Sequence, residues 1–279
     1  MRKNNKTILV LLCIIFLAGC GRLNTDKIEY SFDSKIMCSI EPEDLIYLED
    51  FRLPNFTCTG FTYDSVNDTY WIGDHGITEE DPVQLYQINS DMNELVSCVQ
   101  IEEFYNDGER NLQGVAYDYI DDMLWCAIGK SIIEVTKDGE IKKSISNEFF
   151  EEYKANGINV DPVDATLWVL CASEKLLHID RTGNVIEEIA VNYYAQDMIY
   201  VDNEKIYITI GADYTGNDNY LAVYDKESQQ LTFEYRLINS YAIEGVYINN
   251  NRLYIVNDGL YHNCMIPKSY ISVYDLSQA

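Results

Sequence analysis

Five times this chain repeats one pattern: a short apolar strand beginning at or near a glycine, an Asp or Asn turn, then a second apolar strand carrying Trp or Tyr. The copies are Gly60-Phe-Thr-Tyr-Asp64 with Trp71, Gly114-Val-Ala-Tyr-Asp118 with Trp125, Gly157-Ile-Asn-Val-Asp161 with Trp168, Met198-Ile-Tyr-Val-Asp202 with Tyr207, and Gly245-Val-Tyr-Ile-Asn249 with Tyr254. Successive copies begin 54, 43, 41 and 47 residues apart. One small sheet cannot bury both its faces alone, so strand-type content with a period of about 40 to 50 residues predicts sheets packed face to face around an axis. The expected fold is all-β, a β-propeller of five blades, with six as the alternative.

The third copy shows the whole unit. Strands are expected at Ile158 to Asp161, Thr166 to Ala172, Lys175 to Asp180 and Val185 to Val191, separated by an Asp-Pro turn and a Gly-containing turn. The second copy carries Ser131 to Val135 and Ile141 to Ile145 around Asp138-Gly139, a hairpin signal. The fifth copy stops after Tyr270 to Leu276, only its third strand. Residues Asp44 to Phe51, near the amino end, are expected to supply the fourth and to remove the open sheet edge. A sixth blade would have to come from residues 28 to 58, too few for four strands.

Residues 1–20 read as an export signal: Arg2, Lys3 and Lys6, an apolar run from Ile8 to Ala18, then Leu17-Ala18-Gly19-Cys20. The run is about half of what a membrane-spanning helix needs. Its end resembles the bacterial lipobox, which implies cleavage before Cys20 and lipidation of its sulfur; an ordinary secretory signal is the alternative. Residues 21–35 are polar and read as a tether, leaving 36–279 as the propeller domain. The protein is therefore expected outside the cytoplasm, anchored to a bacterial membrane through Cys20.

The chain carries 46 acidic against 20 basic residues, a formal charge of −26, and removing the basic signal makes the balance more negative. Such a surface repels phosphate, which argues against nucleic acid and anionic head groups as partners and favours cations and neutral or basic ligands. Of the eight cysteines, Cys126 and Cys171 fall within inner-strand patterns and are expected to be small buried thiols. Among the three histidines, His178 is placed inside a strand as packing, while His75 and His262 fall in loops.

The first strand of each blade lines the channel, so the residue before it stands at the mouth. Those residues are Thr59, Gln113, Asn156, Asp197 and Glu244. Loops between second and third strands open on the same face and add Asp74, His75 and Asp258. Converging hard oxygens suit calcium or another divalent cation; the same residues could equally cap strands and bond turn amides. Of the 23 tyrosines, most are expected to pack between blades, with Tyr241 among those at the mouth. Asp74, His75, Tyr241 and His262 are the candidate ligand contacts.

The Gly-x-x-Tyr-Asp…Leu-Trp-Val pattern, strongest from Asn156 to Ile189, resembles the lipid-anchored SdiA-regulated propellers and the wider group of esterase-like phytase and SMP-30/gluconolactonase proteins, over about residues 56–276. The gluconolactonase-like branch implies a divalent metal held by residues preceding first-strand glycines, here Glu244, Asn156 and Asp197, with Gln113 or Asp258 completing the shell. It also implies Asp197 as the general base of a lactone or ester hydrolysis. The chain departs from that branch in two ways: Met198 replaces the glycine after Asp197, and five blades are visible where the branch has six. The expectations are thus a ligand-binding propeller of the cell envelope, its ligand a small molecule or envelope component; a metal-dependent hydrolase; or a scaffold for an unnamed protein partner.

Overall fold

The computed structural model describes residues 37–38, 42–76, 82–101, 111–171, 175–191, 196–211, 219–259 and 268–277. In chain order, β1 (Met37–Cys38) and β2 (Glu43–Asp44) precede β3 (Ile46–Arg52). Blade one is β4 (Cys58–Asp64), β5 (Thr69–Asp74), β6 (Gln84–Asn89) and β7 (Leu95–Gln100). Blade two is β8 (Leu112–Asp118), β9 (Met123–Ile128), β10 (Ser131–Val135) and β11 (Ile141–Ile145). Blade three is β12 (Ala155–Val160), β13 (Leu167–Cys171), β14 (Lys175–Ile179) and β15 (Val185–Ala190). Blade four is β16 (Gln196–Val201), β17 (Lys205–Ile210), β18 (Asn219–Asp225) and β19 (Gln230–Leu237). Blade five begins with β20 (Ile243–Asn249), β21 (Arg252–Asp258) and β22 (Ser269–Asp275).

The fold is the expected five-bladed propeller. Its fifth sheet is completed by β3, antiparallel to β22 with Ile271 opposite Phe51 and Val273 opposite Glu49. The amino-terminal strand thus closes the ring, as the missing fourth strand of the last repeat required. Two additions were not anticipated. Strands β1 and β2 run parallel along β19 and widen blade four. A short helix, α1 (Glu148–Tyr153), leads into blade three; Asn147 caps it by accepting from the Phe150 amide at 3.0 Å, and Phe150 is buried beneath it.

Inner strands pack in a closed circle, β4 on β8, β8 on β12, β12 on β16, β16 on β20 and β20 back on β4. The repeated glycine makes this approach possible. A Cβ on Gly60 would lie 2.3 Å from the Val115 amide nitrogen, one on Gly114 2.5 Å from the Asn156 carbonyl oxygen, and one on Gly245 2.7 Å from the Thr59 carbonyl oxygen. Blade four has Met198 instead, which is buried with Ile243 and Val246 of blade five. The apolar core therefore lies largely between blades, with Trp125 and Val169 in one cluster and Trp71 and Val115 in the next.

Candidate ligand site at the channel mouth

Each inner strand slips register once, at its mouth end. The slips fall between Cys58 and Phe61, Leu112 and Val115, Ala155 and Gly157, Gln196 and Ile199, and Ile243 and Val246. They bracket Thr59, Gln113, Asn156, Asp197 and Glu244, the residues that sequence alignment places before the glycine. A bulge leaves a residue out of the ladder and re-aims its side chain. These five positions therefore stand at one end of the channel, one from each blade.

Their surroundings differ. Cys58 lies opposite Asp74 across β4 and β5, and its thiol reaches the Asn257 carbonyl at 3.3 Å and Asp258 Oδ1 at 3.9 Å, both from blade five. Burial, then the charges of Asp258 and Glu244, push this thiol well above the ordinary cysteine value. Two carboxylates, Glu244 and Asp258, are thus buried beside one buried sulfur where blade five meets blade one, and Asp74 is buried on the facing strand. Asn257 holds that corner: its Oδ1 accepts from the Tyr241 amide at 2.9 Å, and its Nδ2 donates to Ile255 O and Ser272 Oγ.

Asp258 and His75 occupy matching positions in blades five and one. The Asp258 amide donates to Ala242 O and the His75 amide to Thr57 O, each at 2.9 Å. The His75 ring then meets Gln113 of blade two, Nδ1 to Nε2, at 3.3 Å. Thr59 lies between them with its hydroxyl buried and without a hydrogen-bond partner among the described residues. Glu244 and Asp258 are therefore brought together, and His75 with Gln113. Asn156 stands half-buried on blade three. Tyr241 is buried with Ala242 and Tyr270. The side chain of Asp197 and the residues His262 and Cys20 lie outside those described.

Sequence reading missed Cys58 as the centre of this corner. Its one signal was adjacency to the pre-glycine Thr59, and the charges around it come from blade five, about 200 residues away.

Two other groups, Asp118–Asp121–Glu134 and Asp161–Asp164–His178, have a spacing that could hold a metal ion. Both sit at the opposite end of the channel, where each inner strand finishes in an acidic residue or Asn. Asp118 Oδ1 accepts from the turn amide of Ile120, and Oδ2 accepts from Trp125 Nε1 at 3.0 Å and from Arg181 at 2.6 Å. The same Arg181 nitrogen reaches Asp121 and Glu134, so a guanidinium already occupies the centre of the first group. In the second, Asp161 accepts from Trp168 Nε1 and Lys226, each at 2.8 Å. His178, as expected from its strand, stacks on Trp168 with centroids 4.2 Å apart. Cys126 and Cys171 are buried free thiols, also as expected.

No protein-family model and no curated protein matches this chain in sequence. Solved structures do match in shape. Myxococcus xanthus glutaminyl cyclase superposes with a TM-score of 0.56 at 9% identity, covering 85% of this chain and 100% of that one. A GH43 β-1,3-galactosidase gives 0.56 at 10% identity, covering 82% of this chain and 60% of that one. A tail fibre of Staphylococcus aureus phage P68 gives 0.56 at 13%, covering 86% and 54%. At these identities the likeness is one of fold.

Proposed function

We propose that the chain is exported, anchored through lipid on Cys20, and binds a cationic ligand at the mouth of its propeller, either calcium or a molecule bearing an amine. The observation that carries this reading is the pair of carboxylates Glu244 and Asp258 buried beside Cys58, with Asp74 buried on the strand opposite, where bulges turn side chains into the mouth. Carboxylates held close together repel one another, and a cation bound beside them offsets that repulsion. The donor set is all hard oxygen, which fits calcium with its six to eight ligands; Asn156 and Gln113 offer further oxygens around the circle.

Thermal unfolding of the purified chain over a calcium series tests it. Binding to the folded state alone stabilises by about 2.7 kcal/mol at a hundred times Kd, and Glu244→Gln and Asp258→Asn should each remove most of the gain. Absence of any shift with divalent cations or with amines would refute the reading. Fatty-acid labelling that persists in Cys20→Ser would refute the anchor.

An enzymatic reading has one observation in its favour. Glu244, Asn156 and Asp197 occupy the same bulge in three blades, where metal ligands and a general base for hydrolysis would be needed. Lactones, aryl esters, a glutaminyl peptide and a β-1,3-galactoside form the panel. Turnover lost in Asp197→Asn supports this reading; cation binding without turnover leaves a binding protein.

A further inference from the structure

The end of the ring opposite the mouth carries a surface of another kind. Turns between the first and second strands of blades one, two and three each expose a β-branched aliphatic residue: Val66 at 66%, Ile120 at 57% and Val163 at 69%. The matching turns of blades four and five hold Glu204 and Asn251. One such residue on a surface is ordinary, whereas the same position in three consecutive blades forms an arc.

The arc is rigid. Each aliphatic residue's amide donates to the Asp two residues before it, at 3.0 Å for Val66 and Ile120 and 2.8 Å for Val163. Lys137 bridges Asp64 of blade one to Asp122 of blade two. The Tyr119 hydroxyl donates to the Asp161 carbonyl at 3.1 Å, joining blades two and three. Beyond Val163 the arc meets an open recess of about 370 Å³ between blades three and four, walled by Pro162, Tyr200 and Val201 and edged by Asp202, Asn203 and Glu204.

We propose that this face docks a basic segment of a partner protein. Its apolar residues cover Val66, Ile120 and Val163. One Lys or Arg side chain enters the recess with its stem along Pro162 and Tyr200 and its charge at Asp202 and Glu204. Charge selects this occupant. Exposed Asp68 and Asp164 flank the arc, and the net charge of −26 disfavours both a second copy of the chain and an anionic lipid surface. Anchors already fixed in place lose little freedom on binding, which favours affinity from a small contact area.

The test is selection of random displayed peptides on the full chain carrying Cys20→Ser, with Ile120→Asp/Val163→Asp and Glu204→Arg as comparison baits. Enriched peptides should carry Lys or Arg beside aliphatic or aromatic residues and bind each variant at least tenfold more weakly. Failure to enrich any peptide, enrichment of peptides without basic residues, or equal binding to the variants would overturn the proposal. So would vesicle binding or dimerisation that Ile120→Asp abolishes, because the face would then belong to lipid or to a second copy. The altered positions are exposed, and thermal unfolding checks that the variants fold; should the double variant fail, Val66→Asp and Glu204→Arg carry the comparison.

Discussion

The interfaces that join blades one to four are built differently from the two that attach blade five. In the first three, the Asp ending one inner strand accepts a cation from the third-to-fourth-strand turn of the next blade: Lys137 to Asp64, Arg181 to Asp118 and Lys226 to Asp161. Blade five has Leu276 where those cations stand, and blade one has Ser90. The equivalence is structural: the Leu276 amide donates to Asn251 O at 2.8 Å, as the Lys226 amide does to Glu204 O at 2.9 Å. Around blade five, rings replace charges. Tyr247 contacts Phe61, Tyr63, Tyr70 and Tyr200 at centroid distances of 5.2 to 6.3 Å. Half-buried cations paired with buried carboxylates thus hold one part of the ring and apolar area the other, and the carboxylates of the mouth gather above an interface that is held by rings.

Both parts share the glycine hub, which sets the largest effect. Gly245→Val would drive a branched side chain into the backbone of β4, 2.6 to 2.7 Å from atoms of Phe61 and Thr59. Those atoms belong to a paired strand and cannot yield. We expect no cooperatively unfolding product by circular dichroism. A variant that melts within a few degrees of the parent would show that the hub yields at blade five as it does for Met198.

The stapled part is tested next. Asp118→Ala removes the cap of a turn, the acceptor of Trp125 Nε1 and the most buried partner of Arg181, which keeps Asp121 and Glu134. Loss of a buried, paired carboxylate costs about 3 kcal/mol where part of the pair remains solvated. In the ring-packed part, Asp202→Ala loses the bonds from the Glu204 and Lys205 amides, a cost of about 1 kcal/mol. Equal losses in urea unfolding would erase the distinction between the two kinds of interface.

Acid gives a smaller and more selective effect. Burial raises the carboxyls of Asp64, Asp118 and Asp161, but the facing cation, the turn amides and neighbouring donors outweigh it and hold all three below the ordinary carboxylate value. With folded values depressed, their stabilisation is complete above the unfolded value near about 4 and is lost as pH falls through the folded values. Glu134, which burial raises despite Arg181, works in the opposite direction. Tyr200, pushed up to about 12 by burial, and Tyr247, raised further, stay neutral throughout. Stability should therefore fall below about pH 4, and Asp118→Asn should flatten the fall by about 1 kcal/mol. An unchanged slope would place acid sensitivity elsewhere.

What the sequence shows of this molecule follows from distance along the chain. Repeats, turns and the closing strand are local or periodic signals, so the ring and its closure by β3 can be read from Gly60, Asp64, Trp71 and their counterparts. The pre-glycine positions are legible for the same reason. Their bulges are not, because a bulge depends on how a neighbouring strand pairs. The corner around Cys58 joins residues about 200 positions apart, and the Asp118–Arg181 staple spans 63. Neither has a spacing rule. Helix α1 escaped because its six residues carry a single Asn cap and one fully buried side chain.

The finest test moves a staple into the ring-packed part. Leu276→Lys would set an ammonium where Lys226 stands one blade earlier, facing the end of β16 at Asp202. The gain is limited, since a partly exposed ion pair contributes about 0 to 1 kcal/mol. The loss is of similar size, because Leu276 packs against the buried cluster that includes Leu253, Ile255 and Tyr274 and part of that apolar contact disappears. At neutral pH the two should nearly cancel, leaving the melting temperature within about 2 °C of the parent. Where Asp202→Asn removes the new partner's charge only the loss remains, so the double variant should melt below Asp202→Asn alone. An equal effect of Leu276→Lys with and without Asp202 would mean that the lysine never reaches it, and that the tyrosines, rather than the missing cation, define this interface.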